Sequence, residues 1–267
     1  MNLIVAQNAA IRAARAAGKL MLANWHAPKR VNAADAHDIK LELDVRSQKL
    51  ITKTLRAAFA KIPLLGEEGC SGDINAEYRW VVDPIDGTVN YAFGIPHAAV
   101  SIALEVRNPQ PAVRGPKSRP SSHQTVLGVI YCPFTDELWT ATRGGATQLN
   151  GRVVHVRRNA DLGKAVIAMG FSKSKQNLEK SLPHLIRLSR RALKVRIMGS
   201  AALELAYVAS GRLDAYIERT INLWDIAAGG LMVECSGGTF ETHLAPGGKF
   251  RMIASNGLIH RRLPVLR

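Results

Sequence analysis

Short β-rich runs alternate with helix-period segments along the whole 267-residue chain, and that alternation most restricts what it can fold into. Leu3, Ile4, Ile11, Leu20 and Leu22, set among many alanines, predict an amphipathic helix over residues 3–25, ending before Pro28. Asp44 reads as the cap of a second helix running to about Phe59, with Ile51, Leu55, Ala58, Phe59 and Ile62 at helical spacing. Residues 80–82 (Trp-Val-Val) read as a β-rich run ending at Asp83, and residues 98–106 as a buried strand. Residues 126–132 and 137–142 read as paired strands, and Asn150-Gly151 as a hairpin turn. Beyond it, residues 165–169, 195–197, 213–218 and 252–255 are strand-like. Residues 201–209 and 224–236 are helical, closed by Gly211 and by Gly237-Gly238. There is no internal repeat, so a layered α/β or α+β architecture is expected.

Bulk properties narrow the function classes. A hydrophobic content of 47% supports a large core, and no low-complexity block suggests disorder. No run approaches the roughly 18 apolar residues that span a bilayer. The net charge of +15 favours anionic partners. It is spread out, without the basic block or aromatic-interleaved stretch of a dedicated single-strand binder. Cys70, Cys132 and Cys235 are far apart and odd in number, which argues against a disulfide framework or zinc site. They read as small buried hydrophobes in a reducing, cytoplasmic compartment. The N-terminal segment has no acid before Asp35, as transit peptides do, but it also lacks Ser, and a folded helix is the reading taken. Residues 107–123 carry Pro109, Pro111, Pro116 and Pro120 with Arg107, Arg114, Lys117 and Arg119, the composition of a solvated basic loop.

Chemistry concentrates in three acidic segments. In Asp83-Pro84-Ile85-Asp86-Gly87-Thr88, Pro84 restricts Asp83 and Gly87 permits an unusual φ, so two carboxylates can converge. The amides of Gly87 and Thr88 can face a phosphate if a helix starts there. Alone, the string is also a turn. Glu67-Glu68 lies between Gly66 and Gly69 after an apolar stretch, where a solvated loop is the plainer reading. Asp225 opens a helix rich in small residues, where an N-cap is the plainer reading. Taken together, Glu67, Asp83, Asp86 and Asp225 form a set of hard oxygen ligands suited to magnesium. Without a cation, four clustered carboxylates would resist joint ionisation. No P-loop, GxGxxG, GxSxG or HExxH motif competes with this reading.

At these residues the sequence resembles the inositol monophosphatase family of magnesium-dependent, lithium-sensitive phosphatases. The resemblance rests on WVVDPIDGTVNYAFGIPHAAVSIAL at 80–104, INLWDIAAGGLMVECSGG at 221–238 and GEEG at 66–69. Val89-Asn90-Tyr91 after the DPIDGT string is similar to the inositol-phosphatase branch. The resemblance implies a five-layer αβαβα sandwich forming one catalytic unit over 1–267, with halves at about 1–155 (metal-binding) and 156–267 (substrate side). It implies two or three Mg2+ ions. Glu67, Asp83 and the Ile85 carbonyl would hold the first, and Asp83, Asp86 and Asp225 the second. Gly87 and Thr88 would cradle phosphate, and Thr88 with Glu68 or Asp44 would orient the attacking water. Glu218 would contact substrate hydroxyls, and Gly199, Ser200 and Ala201 would line the same pocket, alongside Asp86 and Asp225. The expected substrate is an inositol monophosphate or similar polyol or sugar phosphate, and the expected assembly a homodimer. A broad-specificity sugar bisphosphate or nucleotide phosphatase, or a basic scaffold that binds nucleic acid, stands as the alternative. Two departures bear on this: Leu41 occupies the place of the family's usual Thr three residues before Asp44, and the basic 107–123 segment is long.

Overall fold

The structure, a computed structural model, describes residues 1–34, 39–108, 123–171 and 175–263. The basic segment therefore lies mostly outside the described residues. Its two ends, Arg107 and His123, pair across neighbouring strands.

The chain opens with α1 (Leu3–Ala23), a small antiparallel ribbon of β1 (Val31–Ala34) and β2 (Ile39–Leu41), and α2 (Glu42–Ala58). There follow β3 (Leu64–Gly66), β4 (Gly69–Ser71), β5 (Tyr78–Asp86), the short α3 (Thr88–Ala92), β6 (Ala99–Arg107), β7 (His123–Cys132), β8 (Glu137–Thr142), β9 (Gln148–Leu149) and β10 (Arg152–Val153). The second half contains β11 (Val166–Met169), α4 (Lys175–Ser189), β12 (Lys194–Arg196), α5 (Ala201–Ala209), β13 (Ala215–Ile221), α6 (Leu223–Cys235), β14 (Thr239–Leu244) and β15 (Phe250–Ser255).

Two mixed sheets result. The larger has the order β10-β9-β8-β7-β6-β5-β3-β4, antiparallel except for the β3–β5 pair. The smaller has the order β12-β11-β13-β15-β14, with β11 parallel to both β12 and β13. Helices α1 and α2 cover the outer face of the larger sheet, α5 and α6 fill the space between the sheets, and α4 covers the outer face of the smaller one. These are the five αβαβα layers.

Strand alternation explains how one sheet serves two cores. On β5 to β7, Val82, Ile102, Leu104 and Val129 point toward α1 and α2, whereas Val81, Ala103 and Ile130 point toward α5 and α6. A third core joins Ile167, Ile217 and Ile253 of the smaller sheet to Leu188 of α4.

The inner helices approach closely because they present small residues. A Cβ on Gly128 of β7 would meet the Ala228 carbonyl oxygen of α6 at 2.8 Å. Gly229 and Gly230 of α6 likewise leave room for Leu205 and Phe240. The same principle revises the expected face of α1. Its buried stripe is Ala6, Ala9, Ala10, Ala13, Ala14, Ala17, Gly18 and Met21, while Ile4 is 71% exposed and Leu22 is exposed as well. Close packing against α2 and β7 selects methyl-sized side chains over the larger ones.

Other expectations shift. Asp44 is the third residue of α2, not its cap: its Oδ2 accepts the Leu41 N–H at 2.7 Å, reaching back over the first turn. The strand predicted to end at Asp83 continues to Asp86. Cys70 is exposed on β4, at the edge of the sheet, so only Cys132 of the three thiols is fully buried. Helix α4, which carries Pro183, and strands β3, β4 and β14 have no counterpart in the sequence reading. The 150–151 turn is as expected: Asn150 and Gly151 have φ of 49° and 78° and join β9 to β10.

The close approach at Gly128 can be tested by Gly128→Ala. Overpacking against a backbone should cost about 1–3 kcal/mol, which thermal unfolding reads as a melting temperature lower by several degrees. An unchanged melting temperature would show that α6 can yield there.

Candidate active site

Asp83 and Asp86 are an odd number of residues apart, so a regular strand would place them on opposite faces. The pairing of β5 with β6 breaks between them. Asp83 faces Ser101 and Asp86 faces Ala99, three steps on one strand against two on the other. This one-residue bulge brings both carboxylates to the same side. Pro84, which has no N–H for the ladder, falls within it.

Local bonds then fix the loop. Asp83 Oδ1 accepts the Ile85 N–H at 3.0 Å, and Thr88 Oγ1 donates to the Ile85 carbonyl at 2.9 Å. Gly87 has φ 91°, and a Cβ there would meet the carbonyl oxygens of His97 at 2.9 Å and Gly199 at 3.2 Å. Helix α3 begins immediately after it, as the phosphate-cradle reading requires.

Asp225 is the third residue of α6, not its cap. Its Oδ2 accepts the N–H of Asn222, the true N-cap, at 2.9 Å. Asp44 and Asp225 thus share one device: a carboxylate in the first helical turn is turned back and held by a main-chain donor. Oxygens of Asp83, Asp86 and Asp225 all lie within 4.8 Å of one another.

Glu67 stands beside this triad. It sits on the β3–β4 turn, its N–H donates to Val82 at 3.2 Å, and its charge is felt by Asp83 and Asp225. Glu68 follows it on the same turn, and Gln48 of α2 pins that turn. Gln48 Oε1 accepts the Glu68 N–H at 2.9 Å, and its Nε2 donates to the Gly69 carbonyl at 2.9 Å. Gly66 has no side chain because Gln48 fills the space. Asp44, 2% exposed, also presses its charge on Asp83.

Within residues 199–201, Gly199 is exposed, whereas Ser200 and Ala201 turn inward to Asp86. Ser200 is the N-cap of α5, and its hydroxyl donates to Asp86 Oδ2 at 2.5 Å. The Ala202 and Ala201 amides donate to Asp86 at 2.8 and 3.3 Å. Ser200 and Ala201 are both buried, so they grip the carboxylate instead of facing solvent. Asn90 braces the same loop, its Nδ2 donating to the carbonyls of His97 at 2.9 Å and Met198 at 2.8 Å. Gln48 and Asn90 are therefore site supports that the acid-based reading misses, although Asn90 falls within the Val-Asn-Tyr signature. Glu218 lies half-buried on β13, accepts a hydrogen bond from the Tyr216 hydroxyl, and places its charge within reach of Asp225.

The electrostatics of this arrangement are lopsided. Burial, and then the charges of Glu67, Asp86, Asp225 and Asp44, push the Asp83 carboxyl well above the usual range. Burial and the charges of Asp86, Glu67 and Glu218 do the same to Asp225, against the Asn222 amide. Asp86 rises to about 6 because burial outweighs the donors from Ser200, Ala202 and Ala201. Buried acids raised by one another are relieved by a divalent cation, and the all-oxygen donor set suits a hard one. Asp83, Asp86 and Asp225, with Glu67 beside them, fit such an ion.

An acidic triad, two members buried and Asp225 half-buried, set where α3, α5 and α6 begin, suits a metal-dependent phosphatase, and comparison with known proteins names the kind. The inositol monophosphatase family profile matches residues 5–263. Nus factor SuhB of Escherichia coli is 36% identical over 237 residues, 86% of this chain and 82% of that protein. The protein of the same name from Xylella fastidiosa is 38% identical, over 87% of this chain and 80% of its own length. Among solved structures, extragenic suppressor protein suhB from Bartonella henselae superposes with a TM-score of 0.83 at 33% identity, covering 96% of this chain and 95% of that one. Inositol monophosphatase from Anabaena gives 0.80 at 31% identity, covering 100% and 99%. The chain belongs to the inositol monophosphatase family.

The raised carboxyls set a pH dependence. Asp86 holds its proton to about 6 in the fold against 3.8 as a free side chain. A raised acid stabilises the fold below its unfolded value, and that contribution is lost as pH rises through the folded value. Asp83→Asn, which removes one buried charge, should therefore melt above the wild type in chelator at pH 7.5, with the gap closing toward pH 5. Added magnesium should raise the wild-type melting temperature at pH 7.5, much less at pH 5, and not in Asp83→Asn. A pH-independent gap, or a magnesium response retained by the variant, would contradict the clustered-acid account.

Proposed function

We propose that this chain is a magnesium-dependent phosphomonoesterase that hydrolyses an inositol monophosphate or a similar polyol or sugar phosphate. The observation that carries this reading is the convergence of Asp83, Asp86 and Asp225, beside Glu67, at the start of α3. Glu67, Asp83, Asp86, Asp225 and the Ile85 carbonyl would hold two Mg2+ ions, with Asp44 available to a third. Bound there, the ions supply positive charge that lowers the pKa of water toward neutrality and offsets charge on the phosphoryl oxygens.

The chain's own residues do the positioning. Thr88 spends its proton on the Ile85 carbonyl, which leaves its lone pairs to accept a hydrogen bond from an attacking water and so orient it. Glu68, on the turn held by Gln48, or Asp44 would share that task. First-turn amides of a helix have no intrahelical partner, so the Gly87 and Thr88 N–H groups would meet phosphoryl oxygens. Glu218 would accept hydrogen bonds from substrate hydroxyls, and the Gly199-Ser200-Ala201 loop would keep Asp86 aimed at the centre.

The chain would act as a single catalytic unit, the first half supplying Glu67, Asp83 and Asp86, the second Asp225 and Glu218. A cytoplasmic setting agrees with three thiols outside any disulfide, and no described helix is long and apolar enough to cross a membrane. A homodimer agrees with the apolar side chains of Val89, Phe93 and Ile95, each exposed in the segment after the DPIDGT loop. Lithium sensitivity follows from the family resemblance. The +15 charge favours a second reading, as a basic scaffold that binds nucleic acid. Salt-dependent RNA binding, lost when the 107–123 charges are neutralised, would establish it.

The test is phosphate release from a panel of esters with and without magnesium: inositol 1-phosphate, fructose 1,6-bisphosphate, 2′-AMP, glycerol 2-phosphate and histidinol phosphate. Metal-dependent release led by the inositol ester is expected, with Asp83→Asn slower by several orders of magnitude and lithium inhibitory. Release led by another ester would move the substrate while retaining the mechanism. No release from any ester would overturn the proposal.

A further inference from the structure

Glu204 has no place in the chemistry above, yet it is one of the most deeply buried acids in the described residues, at 1% exposure. It lies in the first turn of α5, the helix whose N-terminus grips Asp86. Its Oε1 accepts the Met198 N–H at 3.0 Å, which fixes the orientation of the carboxyl. The Tyr216 hydroxyl lies within hydrogen-bond reach of the same carboxyl. Tyr216, buried to 1%, also donates to Glu218 Oε2. Gly170 closes the arrangement from the far side, since a Cβ there would collide with Glu218 Oε2 and crowd the Tyr216 hydroxyl.

A tyrosine has one proton to give. If Tyr216 gives it to Glu218, its oxygen must accept from Glu204, so Glu204 must be the protonated partner. Its surroundings favour that state. Burial and the charges of Glu218 and Asp86 raise its carboxyl to about 8, with the Met198 amide opposing them. The result is a directional chain: Glu204 donates to Tyr216, and Tyr216 donates to Glu218.

We propose that Glu204 is a positioning residue that orients the Glu218 carboxylate toward substrate hydroxyls through the Tyr216 hydroxyl. The inference rests on the reading of Glu218 as the acid that meets those hydroxyls. It adds a determinant of specificity that touches neither substrate nor metal.

The test compares an ester rich in hydroxyls, inositol 1-phosphate, with one that has none, p-nitrophenyl phosphate. In Glu204→Leu the ratio of KM for the inositol ester to KM for the nitrophenyl ester should rise about tenfold, the size of one lost hydrogen bond to a charged group. The ratio is the readout because loss of the Met198 bond acts on both esters alike. Glu204→Gln should restore the ratio to within about twofold, since its amide can accept from Met198 and donate to Tyr216. Tyr216→Phe breaks the same chain with Glu204 in place and should raise the ratio equally; it carries the test if Glu204→Leu does not fold. An unchanged ratio in a folded Glu204→Leu or in Tyr216→Phe would overturn the proposal. Wild type that cleaves the nitrophenyl ester but not the inositol ester would remove the polyol reading and this inference with it. Wild type that cleaves neither would remove the phosphatase reading itself.

Discussion

Everything around the centre of this molecule answers one difficulty, the mutual repulsion of buried carboxylates. Asp83, Asp86 and Asp225 are held within 4.8 Å of one another at a depth where none would ionise readily alone. Each is tied by donors of its own: the Ile85 amide for Asp83, the N-terminus of α5 for Asp86, and the Asn222 amide for Asp225. These bonds aim the oxygens but do not neutralise them. The fold thus maintains an arrangement that is unfavourable by itself and becomes favourable with a hard cation.

The layers around the site supply the rigidity this needs. Small residues let α6 press against β7 at Gly128 and Ala228, and an alanine stripe seats α1 on the outer face of the same sheet. Backbones held this close have little freedom to slide. The carboxylates on β5 and α6 therefore keep their separation although they come from different layers. Gln48 and Asn90 extend the same control to the turns that close packing does not reach.

Much of this was legible in the sequence, for physical reasons that differ from element to element. The alternation of strand and helix periods implied a layered fold, and α5 and the 150–151 turn follow their local signals closely. The acids that stand together were legible as well, because Asp, Pro and Gly in one string have few other uses near Glu-Glu and a helix-opening Asp. What was hidden depended on tertiary context. Large aliphatic residues on α1 masked the alanines that are buried. Pro183 and a mixed polar face obscured α4, and β3 and β4 are only three residues each. That Ser200 and Ala201 spend donors on Asp86 is hidden too, because nothing local in the sequence reveals that partner. The bulge between Asp83 and Asp86 is likewise invisible until β6 is alongside.

Asp86 ends a strand of the larger sheet, yet its carboxylate is held by a helix that packs against the smaller one. A ligand bound at Asp86 and Asp225 would therefore fasten one layer to the next, much as a clasp joins two leaves. Affinity for that ligand and cohesion of the sandwich then become two views of one equilibrium. A change far from the centre that lets the inner helices part from the larger sheet would be felt as weaker cation binding, with every ligand side chain still in place.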